Sequence, residues 1–268
     1  GLGDVYKRQL ARDYIGSRLY VPAIEILEEL WERFPDESRF GVKLVECHIA
    51  TGDADTARDT LDRVRIEKQR YAQEAVEKLQ ALRKEDEEKE RKVEDLEEGD
   101  RRERRSLMLK AGVNPHAFAF LEGRVAAAQG DHESALRAYE QAAEVQVANR
   151  PSLYQAQGDT LLRLRRWAKA EERFRAVLEI DPINASAQFG IARSLFGRGR
   201  YEEAKRANLA SVGLIYQNPL AHFLLARIAF KLGDREEANQ ALDRALSQNP
   251  VFPDAYLLRA RLHQQAGD

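Results

Sequence analysis

Cysteine is almost absent from this chain of 268 residues. Cys47 stands alone, which excludes an intramolecular disulfide and a zinc site built on cysteine. Its helical, apolar surroundings favour a buried small side chain over a reactive thiol. An excess of one charge is also lacking. With 43 Lys and Arg against 45 Asp and Glu the formal net charge is −2, whereas a general nucleic-acid or anionic-membrane surface needs a basic excess. Long hydrophobic runs are missing as well. The stretch AHFLLARIAF at 221–230 is broken by Arg227, and a membrane helix requires about 20 apolar residues. No nucleic acid partner and no membrane insertion are therefore expected. Catalytic constellations are equally wanting. The five histidines are scattered, and His48, His222 and His263 fall where large packing side chains belong, while a metal site needs convergent ligands. His132-Glu133 reads as a turn, and Gly197 and Gly199 mark a turn between helices instead of a phosphate loop. Asn184-Ala185-Ser186 fits a glycosylation pattern that arises easily by chance. No catalytic residue, cofactor or metal is expected.

What the chain does contain is a period. The stretch Pro151–Asn184 carries small residues at Gly158 and Ala170, large ones at Tyr154, Leu161, Phe174 and Leu178, and Pro182 at its end. The spacing predicts two helices, the first with Tyr154, Gly158, Leu161 and Leu162 on one face, the second from about Trp167 to Ile180 with Ala170, Phe174, Val177 and Leu178. Small residues belong where two helix backbones come closest. Steps of equal length place Ala192, Gly199, Ala204 and Ser211 in the next unit, then Ala226, Gly233, Ala238, Ala245 and Pro250 in the one after. A last unit opens at Pro253 with Tyr256, Ala260 and Gly267. Upstream, Gly123, Gly130, Ala135, Tyr139 and Ala142 mark a unit at His116–Arg150. Two weaker units precede it, in which Val45 and Val64 replace preferred small residues and Pro22 sits in a first helical turn, where its missing N–H costs little.

That pattern resembles the tetratricopeptide repeat, a helix-turn-helix unit of about 34 residues with small residues at fixed positions and Pro near its end. The resemblance implies an all-α fold, an α-α superhelix built as a right-handed solenoid of antiparallel helix pairs. Repeats 1 and 2 are assigned to 10–71 and repeats 3 to 7 to 116–268, the last of them cut short. Between them, 72–115 is a charged helical insert. Its pairs Glu74/Lys78, Glu85/Lys89 and Glu88/Lys92 have i, i+4 spacing, each contributing about 0.2–0.5 kcal/mol. The preceding helix is expected to run on to about Glu98. Gly99 and Asp100 should then permit a turn, and a shorter helix from about Arg102 to Ala111 should lay Leu107, Met108 and Ala111 on the third repeat. Ala72, Ala75, Leu79, Leu82, Val93 and Leu96 follow a heptad, yet Asp86 and Lys89 interrupt it. A solvated spacer helix and a coiled-coil arm are both open readings, the first preferred. The basic cluster Arg101, Arg102, Arg104 and Arg105 reads as favourable charge near a helix end, or as simple solvation.

In a stacked array of such units the first helices line a concave groove, reached by their second, fifth, ninth, twelfth and thirteenth positions. Reading those positions gives Phe120, Arg124, Phe189, Arg193, Phe196, Phe223, Arg227, Phe230 and Arg261. Aromatic rings interleaved with arginines suit a protein or peptide segment carrying acidic and apolar residues. Relatives that clamp the acidic tails of chaperones use Asn at the ninth position, where this chain has Arg, Asp or Glu, so that role is not expected.

Three functional readings follow. The first is a non-catalytic protein-interaction scaffold. The second rests on a further resemblance: FPDESRFGVKLVEC, RRWAKAEERFRAVLEIDP and GLIYQNPLAHFLLARIAFKLGDREEANQALDRALSQNP are similar to the repeat region that follows some bacterial phosphodiesterase or nucleotide pyrophosphatase domains of the alkaline phosphatase superfamily. None of that superfamily's metal-binding motifs is in this sequence. The third is homo-association through the shortened last repeat, whose missing partner helix should leave Ala241, Leu242, Tyr256 and Leu262 uncovered. Neither end reads as native: DVYKRQ at 4–9 matches an in-frame sequencing adapter, so 1–9 is set aside, and the chain is expected to be a fragment. Its compartment, cytoplasm or periplasm, stays open.

Overall fold

Alanine and glycine at fixed intervals dictate how closely helices can approach, and the computed structural model follows that dictate. It describes residues 2–88, 97–112, 118–145 and 150–266, which form fourteen helices and no strand. In order they are α1 (Leu2–Gly16), α2 (Tyr20–Arg33), α3 (Ser38–Thr51), α4 (Ala54–Glu88), α5 (Glu98–Ala111), α6 (Ala119–Ala128), α7 (His132–Val145), α8 (Arg150–Arg163), α9 (Trp167–Ile180), α10 (Ala185–Gly197), α11 (Tyr201–Leu214), α12 (Pro219–Leu232), α13 (Arg235–Gln248) and α14 (Pro253–Ala266). None of the described helices is long and apolar enough to cross a membrane. Two compact units arise, residues 1–131 and 132–268, each a stack of helices folded back on their predecessors.

Local chemistry sets the helix ends. Asn184, Asn218 and Asp234 accept hydrogen bonds from the backbone N–H of Ala187, Ala221 and Glu237, capping α10, α12 and α13. The turn between paired helices needs one left-handed residue. Gly199 and Gly233 supply it with φ of 75° and 83°, whereas Arg165 holds the equivalent place with φ of 56°, a conformation costing a non-glycine residue about 1 kcal/mol or more.

Within the second unit the expected small positions lie at the helix contacts: Ala170, Ala192, Ala204, Ala226, Ala238 and Ala245 are fully buried. Around them Phe174 is the central wedge, with no exposed surface. A methyl group at Gly158 of α8 would lie 2.7 Å from its ring, and one at Gly190 of α10 only 2.6 Å away. Polar links tie α11 to its partner α10 within the repeat and to α12 of the next repeat. Ser211 Oγ donates to the Ala185 carbonyl at 2.9 Å, and Asn208 Nδ2 to the Ala221 carbonyl at 2.8 Å. Glu171, 1% exposed, receives Arg198 and Arg175 at 2.5 Å, with Arg200 at 4.0 Å, so a buried carboxylate is matched by charges from the next turn.

In the first unit the weaker repeats solve the same problem differently. Val45 and Val64 are fully buried where small residues were expected, and the close approach moves to Gly41, whose missing side chain makes room for Trp31 and Val64.

The insert departs from expectation. The described part of α4 ends at Glu88, and α5 begins at Glu98, so Gly99 and Asp100 occupy a helical first turn instead of a break; Asp100 suits the positive end of that helix. Among the described residues α5 packs chiefly against α4. Leu107 is buried while Met108 is 55% exposed. Ala72 and Ala75 of the heptad are buried, and Asp86, which interrupts the seam, pairs with Arg104. Glu74 meets Arg70 at 3.7 Å. Lys89, Lys92, Val93 and Leu96 lie outside the described residues. The last repeat brings a second correction. Ala241 and Leu242 have no exposed surface and Leu262 only 3%, because α12, α13 and α14 share one cluster with Phe252 and Leu258. Only Tyr256 of that set is exposed, its hydroxyl donating to the Pro250 carbonyl. Three of those four residues therefore lack the exposure expected for end-to-end association, and Tyr256 has it.

Phe174→Ala should cost about 3–5 kcal/mol through the cavity left behind, and Gly190→Ala about 1–3 kcal/mol through overpacking. Urea denaturation measures both, and an unshifted midpoint for Gly190→Ala would remove the wedge from the account. For the insert, Leu107→Asp should speed hydrogen exchange across 98–111 and leave protection across 150–266 intact.

Candidate functional site

A first helix shows one face to its partner and another to the groove, so residues three and four apart along it share the exposed face. On α10 this places Phe189, Arg193 and Phe196 together; on α12 it places Phe223, Arg227 and Phe230. The Arg193 guanidinium lies 5.7 Å from the Phe189 ring. Arg227 sits 4.5 Å from Phe196 and 5.9 Å from Phe223, bridging two helices. Each such contact contributes about 0.5–1 kcal/mol where solvent reaches it and more where it does not.

Two cavities flank Arg227. One, of about 430 Å3, is lined by Leu162, Arg163, Arg165, Trp167, Arg193, Phe196, Gly197, Leu224 and Arg227. The other, of about 330 Å3, is lined by Phe223, Arg227, Asp254, Leu257, Leu258 and Arg261. Four arginines at groove positions, Arg163, Arg193, Arg227 and Arg261, face two carboxylates, Asp159 and Asp254. Arg193 Nη1 donates to Asp159 Oδ1 at 3.4 Å. Burial lowers the pKa of Arg193, Asp159 opposing and Arg163 and Arg227 adding to it. Burial also lowers that of Arg227, with Asp254 opposing. Both remain protonated at any physiological pH. Burial raises the Asp159 carboxyl pKa against the pull of Gln155, Arg193 and Arg163.

Six of the nine residues read from the sequence thus lie along one trough of the second unit: Phe189, Arg193, Phe196, Phe223, Arg227 and Arg261. Phe230, like Phe223, packs partly buried against the cluster of α12, α13 and α14, but it lines neither cavity. Phe120 and Arg124 belong to the first unit, where Arg124 meets Glu46 at 3.4 Å. That unit has its own basic and apolar cavity, of about 370 Å3, in which Arg8, Arg12, Arg39 and Lys43 surround Ala11, Leu27, Leu30 and Phe40. Sequence reading missed Arg163, Asp254, Trp167 and Leu224. Arg163 and Asp254 stand at the thirteenth and second groove positions, so the signal was present; Trp167 and Leu224 face the trough from positions that periodicity assigns to packing. Among histidines, His48 and His222 are buried as expected, His222 bonding the Tyr216 carbonyl at 2.9 Å, whereas His263 is exposed. No group of three or more potential metal ligands occurs among the described residues.

Comparison with known proteins agrees with this architecture. Tetratricopeptide repeat models match residues 15–88 and residues 109–153 and 156–213, and a model of the second ARM domain of tetratricopeptide repeat protein 21 matches 219–267. The chain is similar to the CTR9 homolog of Arabidopsis thaliana, 30% identical over 136 residues, and to the TPR repeat-containing protein YpiA of Bacillus subtilis, 27% identical over 155 residues. These matches cover 50% and 58% of this chain but only 12% and 36% of those relatives. In fold it resembles PilW, a type IV pilus biogenesis factor, with a TM-score of 0.67 at 13% identity over 96% of this chain and 99% of PilW. It also resembles YrrB, a TPR protein with an unusual peptide-binding site, with a TM-score of 0.50 at 15% identity over 89% of this chain and all of that one.

A pH dependence follows from the raised Asp159 carboxyl. An unfolded chain releases this proton near pH 3.9, while the folded chain keeps it to higher pH. The associated stability is fully present below the unfolded value and is lost as pH rises through the folded one. Asp159→Asn should lack that decline, so its stability should gain on the parent as pH rises above about 3.9 in urea titrations. Superimposable pH profiles would contradict it.

Proposed function

This chain belongs to the tetratricopeptide repeat family, and from that premise we propose that it is a non-catalytic scaffold whose second unit holds a protein segment bearing acidic and apolar residues. The observation that carries the reading is the bridge made by Arg227 across Phe196 and Phe223 between two cavities. Rings and aliphatic side chains give such a surface apolar contact area, and partly exposed guanidinium groups held among them give it directional preference for carboxylates. Four arginines against two carboxylates leave positive charge in the trough, although the whole chain is close to neutral. The peptide-binding site of YrrB supports the same use of the fold.

Selection of a displayed 12-residue peptide library on the full chain should enrich sequences that combine Asp or Glu with Leu, Phe or Trp. The pair Arg193→Glu and Arg227→Glu should abolish that enrichment while the melting temperature moves by no more than a few degrees, since exposed arginines add little to stability. Enrichment that survives the double substitution would place binding elsewhere.

A further inference from the structure

Arg227 differs from the other arginines of the trough in having two rings within 6 Å of its guanidinium, and, unlike Arg193 with its Asp159, it has no hydrogen bond or ion pair among the described residues. Rings stacked near a guanidinium leave its in-plane N–H groups available, and those groups match the two oxygens of a carboxylate. Arg227 also lines both cavities, the larger centred on α10 and the smaller lying between α12 and α14. We infer that Arg227 is the centre of a three-point reader for an extended segment: it takes a carboxylate at position i+2, while apolar side chains at i and i+4 enter the two cavities.

Distance and periodicity select the extended form. Packed helices stand about 8–10 Å apart, so one and a half steps of the stack separate the cavities by about 12–15 Å across it. In an extended chain residues i, i+2 and i+4 share a face, and i to i+4 spans about 13 Å. A helix brings residues back to one face at i+7 and i+11, about 10.5 and 16.5 Å along, on either side of that distance. Chemistry is graded along the same line. The floor on one side is Phe196, Trp167 and Leu224, on the other Phe223, Leu257 and Leu258, and the charge between them is positive. Asp254 lines the smaller cavity and attracts Arg227, and its charge disfavours an acid side chain in that cavity, so the carboxylate belongs at the centre and an apolar group in the cavity.

This inference rests on the proposed function, and synthetic peptides separate the two. The probes are fluorescein-labelled nine-residue peptides in a Ser/Gln background with Leu at i and i+4 and Glu at i+2. Controls move the second Leu to i+3 or i+5, replace Glu by Gln, or present Leu at i and i+7 with Glu at i+4 on a lactam-stapled helix. Fluorescence anisotropy with the full chain should show the i, i+4 peptide binding about tenfold or more tightly than the displaced ones, and Glu→Gln should weaken it about tenfold. In Arg227→Gln, whose fold is checked by circular dichroism and melting, the Glu→Gln loss should shrink to less than about twofold. Equal affinity for all spacings, preference for the helical peptide, or an undiminished Glu→Gln loss in Arg227→Gln would overturn the inference. If such binding is still lost in the Arg193→Glu, Arg227→Glu pair, the broader function stands without it. Absence of binding by every peptide of the set overturns both.

Discussion

The second unit depends on how closely α8, α9 and α10 approach around the ring of Phe174. Phe174 is large and fully buried, and it fits only because Gly158 and Gly190 withhold a side chain on either side of it. Burial of one such ring contributes about 1.5–3 kcal/mol, but its larger effect is geometric. It fixes the spacing and rotation of α8 against α10, and α10 is the helix that presents Phe189, Arg193 and Phe196. The same device recurs where Trp167 lies over Gly197. Core packing and trough geometry are therefore one constraint: a backbone shift at the wedge moves the arginines.

Charge is organised around that frame in two ways. Glu171 is buried and meets Arg175, Arg198 and Arg200, so its desolvation is offset by cations held by neighbouring turns. In the trough the balance runs the other way. Arg193 shares Asp159 with Arg163 nearby, and Arg227 rests on rings with a more distant Asp254. Aromatic faces stabilise a guanidinium without consuming its hydrogen-bond donors. A surface built this way concentrates positive charge in a chain that is almost neutral overall. Arg165, in a left-handed turn where the next two repeats have glycine, lines the same cavity, an instance of backbone strain adjoining a candidate site.

The array itself was legible because a period of small and large residues is a direct imprint of helix contact distances. Helices α9, α10, α12 and α14 begin at Trp167, Ala185, Pro219 and Pro253, the places the pattern assigns. The insert was less legible because its charged residues carry no periodic constraint; Leu107 and Arg104 find partners on α4 by folding back, which no local spacing encodes. Expectations for the last repeat failed for a related reason. Counting repeats leaves the end of the array without the cover of the absent second helix, yet Phe252, Leu258 and Leu262 cluster with Ala241 and Leu242.

By itself, then, the sequence determined the helix pairs, their register and the ring-and-arginine composition of the groove positions, since each of these follows from local spacing along one helix. Only the tertiary structure decided which of those residues meet. It drew Phe189, Arg193, Phe196, Phe223, Arg227 and Arg261 along one trough, left Phe230 outside the two cavities, kept Phe120 and Arg124 in the other unit, and added Trp167 and Leu224. The reason is that lateral neighbours on successive helices are set by interhelical distance and rotation, quantities fixed by the packing of Phe174 and Trp167 against glycine and absent from any single stretch of chain.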